Sequence, residues 1–381
     1  MRTSTERILT THVGSMPRPQ YVVDQLFAQD ADEQYDPAEF DRVMRRAVRE
    51  VAKKQVDAGV DVISDGEMSK ISYVTYMRHR FTGFEIADVP RATPQDLDDF
   101  PAYKQRLADA GGTPKYHRPV VRDAIAIKDL DPLEKDIANL LAAKDEADAA
   151  EAFMNSASPG VVAGFQPNEY YATKEQYIDA LAEALKVEYE KITEAGLLLQ
   201  VDCPDLAMGR HILFREEGTE AFLKAARAQV EVLNYALENV PAERARLHLC
   251  WGNYEGPHHH DVDLAEIIDI VLSTKPQAIQ FEASNPRHQH EWQIWAEADI
   301  PDDKILIPGT LDTTTNFIEH PQLVAERIER FANIVGRERV IAGTDCGFGT
   351  FAGFGAIHPD IAYAKLRSMA EGARIASERL W

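Results

Sequence analysis

Cysteine is scarce in this chain: three occur in 381 residues, Cys203, Cys250 and Cys346. So odd and sparse a set provides no disulfide framework. Long apolar runs are missing as well. Nothing approaches the roughly 18 consecutive apolar residues that cross a bilayer, so no membrane partner is expected. Basic charge falls short of acidic, 41 Lys and Arg against 63 Asp and Glu, for a net charge of -22. Such a surface repels phosphate backbones, which argues against a nucleic-acid partner. The opening MRTSTERILTTHVGS lacks the apolar stretch of a signal peptide, and a cytoplasmic location is expected.

What is present is ample core material. Hydrophobic residues make up 45% of the chain and charged residues 27%, a globular composition. Short β-branched or aliphatic runs alternate with longer amphipathic stretches. Strands are predicted at 8–14, 60–64, 160–165, 197–201, 246–249, 278–281, 305–308 and 339–342. Helical spacing marks 174–194, 217–237, 264–273 and 321–334. Alternation of this kind implies right-handed crossovers and a parallel sheet. Eight such units, with no nucleotide-binding fingerprint after the first strand, predict a single (β/α)8 TIM barrel over residues 1–381. An interruption at 80–159, polar over 88–112 and alternating over 120–127, predicts an insertion before the third strand, with a hairpin and a helical flap at the barrel mouth.

In such a barrel the chemistry gathers where the strands end. Residues at those ends are Ser15, Glu67, Asp202, Cys203, His248, Cys250, Glu282, Asp312, Asp345 and Cys346. His248 and Cys250 stand two apart in LHLC, so both side chains face the same way. Closure of a barrel brings Glu282 of IQFE and Cys346 of AGTDC to the same rim. Imidazole, carboxylate and two thiolates suit Zn²⁺. The alternative for each of these residues is ordinary burial, the cysteines as small apolar residues and the histidine hydrogen-bonded in the core.

The order H-x-C, then Glu after an apolar strand, then D-C-G after another, resembles the zinc site of the cobalamin-independent methionine synthase family. TTHVGSMPRP at 10–19, DVISDGEMSK at 61–70 and LLLQVDCPDL at 197–206 are similar to further motifs of that family, in the same order. The resemblance spans nearly the whole chain but only the catalytic C-terminal half of the long family members. It implies that His248, Cys250, Glu282 and Cys346 hold zinc, on which a homocysteine-like thiol is activated as a thiolate for methylation. It further implies that Ser15 and the Val13 backbone bind the amino acid's carboxylate, and Glu67 and Asp202 its ammonium group. Glu282, as the displaceable ligand, and Asp312, of the P-G-x-x-D segment in PGTLDTTTNFIEHP, are the candidate catalytic residues.

Departures from the family pattern fall on the donor side. Thr314 stands where the family has a histidine linked to proton transfer, and a threonine hydroxyl is no general acid near neutral pH. Cys203 replaces a glutamate, and 157–171 lacks a tryptophan-bearing segment associated with the pterin. The alkyl donor is therefore left open among a folate, a corrinoid (carried by a partner protein) and an epoxide. An epoxide would be opened by a thiol such as coenzyme M, as in related zinc barrels. A zinc-stabilised binding protein without catalysis is the remaining alternative.

Other signals are weaker. HHHD at 258–261 and HQHE at 288–291 lack the helical H-E-x-x-H spacing and are read as lining the mouth, with Arg287 and His290 the functional candidates. GFGTFAGFG at 347–355 reads as a flexible loop over the metal. Trp251, Tyr254, Phe348 and Phe351 are candidates for the walls of a dry pocket.

Overall fold

A computed structural model describes the chain except residues 32–34, 88, 90–91, 110–116, 354 and 356. Ten strands are present among the described residues: β1 Leu9–Thr10, β2 Val62–Ser64, β3 Phe84–Ala87, β4 Arg118–Val121, β5 Glu151–Ala157, β6 Leu198–Asp202, β7 Ala245–His248, β8 Ala278–Phe281, β9 Ile305–Pro308 and β10 Ile341–Ala342. The α-helices are α1 Gln20–Asp30, α2 Pro37–Asp57, α3 Pro101–Asp109, α4 Asp131–Glu146, α5 Pro159–Phe165, α6 Lys174–Glu194, α7 Gly209–Ile212, α8 Gly218–Ala236, α9 Leu264–Leu272, α10 Trp292–Glu297, α11 Pro321–Val335 and α12 Pro359–Leu380.

The helices form where caps and periodicity agree. Asp36 accepts from the Ala38 N–H ahead of Pro37, and Thr173 accepts from the Gln176 N–H ahead of α6. Along α2 the buried positions Met44, Ala47, Val48, Val51 and Gln55 repeat at three and four residues, one face turned to the core. Gly336, at φ 89°, ends α11 in a backbone that a side chain disfavours.

Six parallel strands form a curled sheet in the order β2-β5-β6-β7-β8-β9, and β1 pairs in parallel with β10. Parallel bridges join Thr11 to Val62, Leu306 to Val340 and Gly309 to Gly343. Strands β6 to β9 are buried at every position, as a parallel sheet covered by helices requires. Helix α4 packs on α2, α6 on α8, and α11 on α12, so the helices lie against one another outside the strands.

Inside the sheet Arg246 ties several strands together. Its guanidinium donates to Gln200 Oε1 at 2.7 Å, Thr11 Oγ1 at 2.9 Å and Gln280 Oε1 at 2.6 Å, and it also reaches the His12 carbonyl. A buried cation is tolerable only when its donors are satisfied in this way.

One predicted strand is corrected. Residues 160–165 are not a strand but helix α5; the third parallel strand is β5, at Glu151–Ala157. Ser158 accepts from the Val161 N–H and Pro159 occupies the first turn, which starts a helix inside a short apolar run. The segment between β2 and β5 carries the antiparallel pair β3–β4, with α3 in the connection between them, and α4, and so residues 80–159 include the third strand itself. Among the described residues no helix is long and apolar enough to cross a membrane.

Candidate metal centre

Strand β7 ends on His248, and Cys250 follows two residues later on the same side. Cys346 follows β10 at the corresponding end of its strand. Hydrogen bonding between β7, β8 and their neighbours brings the Cys250 and Cys346 sulfurs to 3.8 Å. A histidine nitrogen and these two sulfurs all lie within 4.8 Å of one another, and all three residues are buried.

His248 is oriented from behind. Its Nδ1 is 3.2 Å from Asp202 Oδ1, whereas its Nε2 is buried and has no hydrogen-bond partner. A buried imidazole nitrogen left unpaired beside two thiols is costly in an all-protein core. It is what a soft divalent cation would use. Burial works against charge on His248, but the Asp202 hydrogen bond and Cys250 outweigh it and lift its pKa to about 10. Cys250 is pushed well above the usual thiol range by its contact with Cys346 and by burial. The site thus holds protons tightly where a cation would displace them. One imidazole nitrogen and two sulfurs fit zinc, with a fourth position left for another ligand.

Glu282, predicted as a ligand, is buried nearby but stands apart from that group. Its Oε1 accepts from the Trp251 N–H at 2.8 Å and its Oε2 from Asn285 Nδ2 at 2.7 Å. Both oxygens are therefore engaged by loops that follow β7 and β8.

Asp345, next to Cys346, reaches across to the loop after β8. Its carboxylate accepts from the Ala283, Ser284 and Asn285 N–H groups at 2.9, 2.9 and 2.8 Å. This bracket fixes where the loop bearing Glu282 sits relative to Cys346. Trp251 stacks on His288 at 4.3 Å and donates Nε1–H to the Val262 carbonyl, so the wall beside Cys250 is braced by aromatic packing.

Around this cluster lie the residues predicted to bind substrate. Asp202 is shared among Asn155 Nδ2, Gln200 Nε2 and His248. Glu67 sits in left-handed backbone at φ 54°, a conformation that non-glycine residues adopt at a cost. Its Oε2 is buried, 3.6 Å from Arg18, and accepts no hydrogen bond. Burial pushes the Glu67 carboxyl up to about 7, opposed by Lys70 and Arg18 and assisted by Asp202 and Asp65. The Val13 N–H donates to Thr344 Oγ1 at 3.2 Å, and its carbonyl accepts from Asn155 and Gln200. Ser15 is buried with its hydroxyl against Gly347, where an added Cβ would lie 1.9 Å from Ser15 Oγ.

Asp312 is held by its own turn: Oδ1 accepts from the Thr314 N–H and hydroxyl, both at 2.8 Å, and Oδ2 from Thr315 at 2.7 Å. Thr314 therefore serves as a hydrogen-bond donor to Asp312. Cys203 is fully buried, with its pKa raised well above the usual thiol range by burial.

His258 and His288 are buried and hydrogen-bonded to one carboxylate, Asp261, whereas Arg287 and His290 are exposed. In the glycine-rich loop the Phe348 N–H donates to the Ser15 carbonyl, and Phe354 lies outside the described residues. One residue escaped prediction, Asn155, whose strand was misplaced; Asp345 was placed at a strand end, but its bonds to the loop after β8 carry no signal in the sequence.

The fold and the site define a parallel α/β protein with a buried His–Cys–Cys group at its strand ends that could hold a metal ion. Residues 8–374 match the family described as cobalamin-independent synthase, catalytic domain, and the chain belongs to that family. It is 26% identical over 376 residues to a protein named methionine synthase from Saccharolobus islandicus strain L.S.2.15, covering 97% of this chain and 95% of that one. Its identity to the methionine synthase of Sulfolobus acidocaldarius is 22% over 372 residues, covering 97% and 93%. In fold it is similar to a B12-independent methionine synthase from Shewanella sp. W3-18-1, with a TM-score of 0.73, 17% identity, and 98% and 99% of the two chains covered. A putative vitamin-B12-independent methionine synthase from Listeria monocytogenes gives a TM-score of 0.64 at 17% identity, with the same coverage.

Proposed function

We propose that this chain is a zinc-dependent methyltransferase that methylates the sulfur of homocysteine or a similar aminothiol in the cytoplasm. The observation that carries this reading is the buried His248, Cys250 and Cys346 group, in a chain of the cobalamin-independent synthase family. The parallel bridges at Thr11, Leu306 and Gly309 support a (β/α)8 barrel, treated as one unit over 1–381 with the segment within 80–159 as a cover.

His248, Cys250 and Cys346 would hold zinc, with Glu282 as the displaceable fourth ligand. The ion would supply the positive charge that favours a deprotonated substrate thiol at neutral pH. Asp202 keeps His248 Nε2 turned inward. Glu67, with a carboxylate oxygen free of hydrogen bonds, and Asp202 bind the substrate ammonium, and Ser15 with the Val13 backbone binds its carboxylate. Once placed, the sulfur lone pair forms the new S–C bond as the bond from methyl carbon to donor breaks, and the donor leaves with the two electrons of the broken bond. The buried surroundings exclude water from competing at the methyl carbon. A methylated folate or corrinoid fits this step as donor.

The test is metal quantification and zinc-edge X-ray absorption with and without homocysteine, followed by assay for methionine with each donor. A tightly bound zinc that gains a sulfur ligand with homocysteine supports the reading. A sulfur gained with coenzyme M alone would move it to thiol-driven epoxide opening. Full zinc that no thiol alters would make the metal structural.

A further inference from the structure

A second group of ligand-type side chains lies outside the centre described above. The adjacent His259 and His260 both direct Nε2 at one oxygen of Asp99, at 2.8 and 2.7 Å. The three ligand atoms lie within 4.8 Å of one another, and the imidazole rings stand 4.3 Å apart. Neighbouring residues in extended chain point to opposite sides, so two consecutive histidines on one target need a special turn. His258 supplies it, with φ 53°, held by its N–H to Asp96 at 2.7 Å and by its Nδ1 to Asp261 at 2.9 Å. The backbone thus stays in a sparsely populated region in a manner that presents both imidazoles to Asp99.

We propose that Asp99, His259 and His260 form a second, peripheral site for a divalent first-row cation such as zinc, which clasps the segment 95–109 to the loop after β7. Two imidazoles and a carboxylate are ligands such a cation takes, with water in the remaining position. In the present arrangement one carboxylate oxygen serves two imidazoles while its second oxygen bonds neither. A cation between them would accept a lone pair from each nitrogen and one from the oxygen. The net charge of -22 favours cation capture.

The clasp would reinforce an existing seam. Tyr254 donates to Asp96 at 2.8 Å, and Tyr103 donates to the Glu255 carbonyl. The loop concerned begins at Cys250, so the outer site shares a ten-residue connection with the inner one. Its occupancy would set how firmly the segment is held to that loop. This inference does not depend on the proposed reaction, since the two sites use different residues.

The test is an equilibrium zinc titration of the full, untagged chain against a competing chelator dye. Wild type is expected to bind two equivalents, and H259Q/H260Q one. C250S/C346S is expected to lose the tighter equivalent and keep the weaker, which separates this site from the inner one. D99N, a single surface change, provides an independent variant should the histidine pair disturb folding, and it is expected to weaken the second equivalent. Zinc is further expected to slow proteolysis within 95–109 in wild type and in C250S/C346S but not in H259Q/H260Q. A single equivalent in wild type at tens of micromolar free zinc, or a second equivalent unchanged in both H259Q/H260Q and D99N, would overturn the proposal.

Discussion

His248 is aimed by Asp202: the 3.2 Å contact at Nδ1 leaves Nε2 as the ring's inward face, beside the sulfurs of Cys250 and Cys346. Asp202 is itself fixed by Asn155 and Gln200, so the orientation of one ligand depends on three strands. Carboxylates placed behind a metal-binding imidazole fix its tautomer and raise its basicity.

Asp202→Asn should therefore weaken zinc binding about 10–100-fold, the usual consequence of losing such a partner. The fold should survive, because an amide still meets some of the same partners. Chelator competition reads the affinity. A variant with wild-type zinc affinity but a raised KM for homocysteine would instead assign Asp202 to the substrate ammonium alone.

Glu282→Gln separates ligand from neighbour. Both Glu282 oxygens are engaged by Trp251 and Asn285, and the three other ligand atoms already cluster without it. The variant is expected to retain the tighter zinc equivalent while turnover falls, since a displaceable fourth ligand contributes more to exchange than to capture. Loss of zinc to the extent expected of C250S/C346S would make Glu282 an essential holder.

Much of this was legible in the sequence, and the reasons differ by residue. His248 and Cys250 announce themselves because strand alternation puts positions two apart on one face. Cys346 and Glu282 were singled out because each closes an apolar run. The strand β5 was missed because EAFMNSA carries the polar, buried Asn155 and Ser156, whereas GVVAGF beside it is more apolar and yet helical. The Ser158–Pro159 start was the signal that decides between them. That Glu282 lies bonded away from the sulfurs was not legible, because it depends on where Trp251 and Asn285 fall in space. The Asp345 bracket was hidden for the same reason: its partners are backbone N–H groups, which carry no residue-type signature.

Gly309→Ala should damage that bracket. An added Cβ would lie 1.9 Å from Asp345 Oδ1 and 2.8 Å from the Asp345 backbone nitrogen, so neither atom can yield cheaply. Displacing the carboxylate releases three N–H groups at 283–285 and shifts the Glu282 loop relative to Cys346. A loss of about 1–3 kcal/mol is expected from such overpacking, together with weakened zinc binding. Denaturant unfolding and zinc competition on the same variant check both. Unchanged values would show that the two strand ends tolerate a wider spacing.

Asp205 gives a pH dependence whose sign can be worked out. It is buried, accepts from the Ser158 hydroxyl at 2.6 Å, and burial pushes its carboxyl from the usual 3.8 up to about 6. The folded chain then holds this proton more tightly than the unfolded chain does. Asp205 thus favours folding below about pH 4, and this preference is lost as pH rises through about 6. Above that range the ionised, buried carboxylate costs on the order of 3 kcal/mol. Asp205→Asn cannot ionise, so its stability relative to wild type should improve by that order between pH 4 and pH 8. The comparison cancels the titration of Glu67 and Asp345, which both proteins share. Urea unfolding of the pair at the two pH values measures it, and a difference that stays constant would mean that Asp205 ionises as readily folded as unfolded.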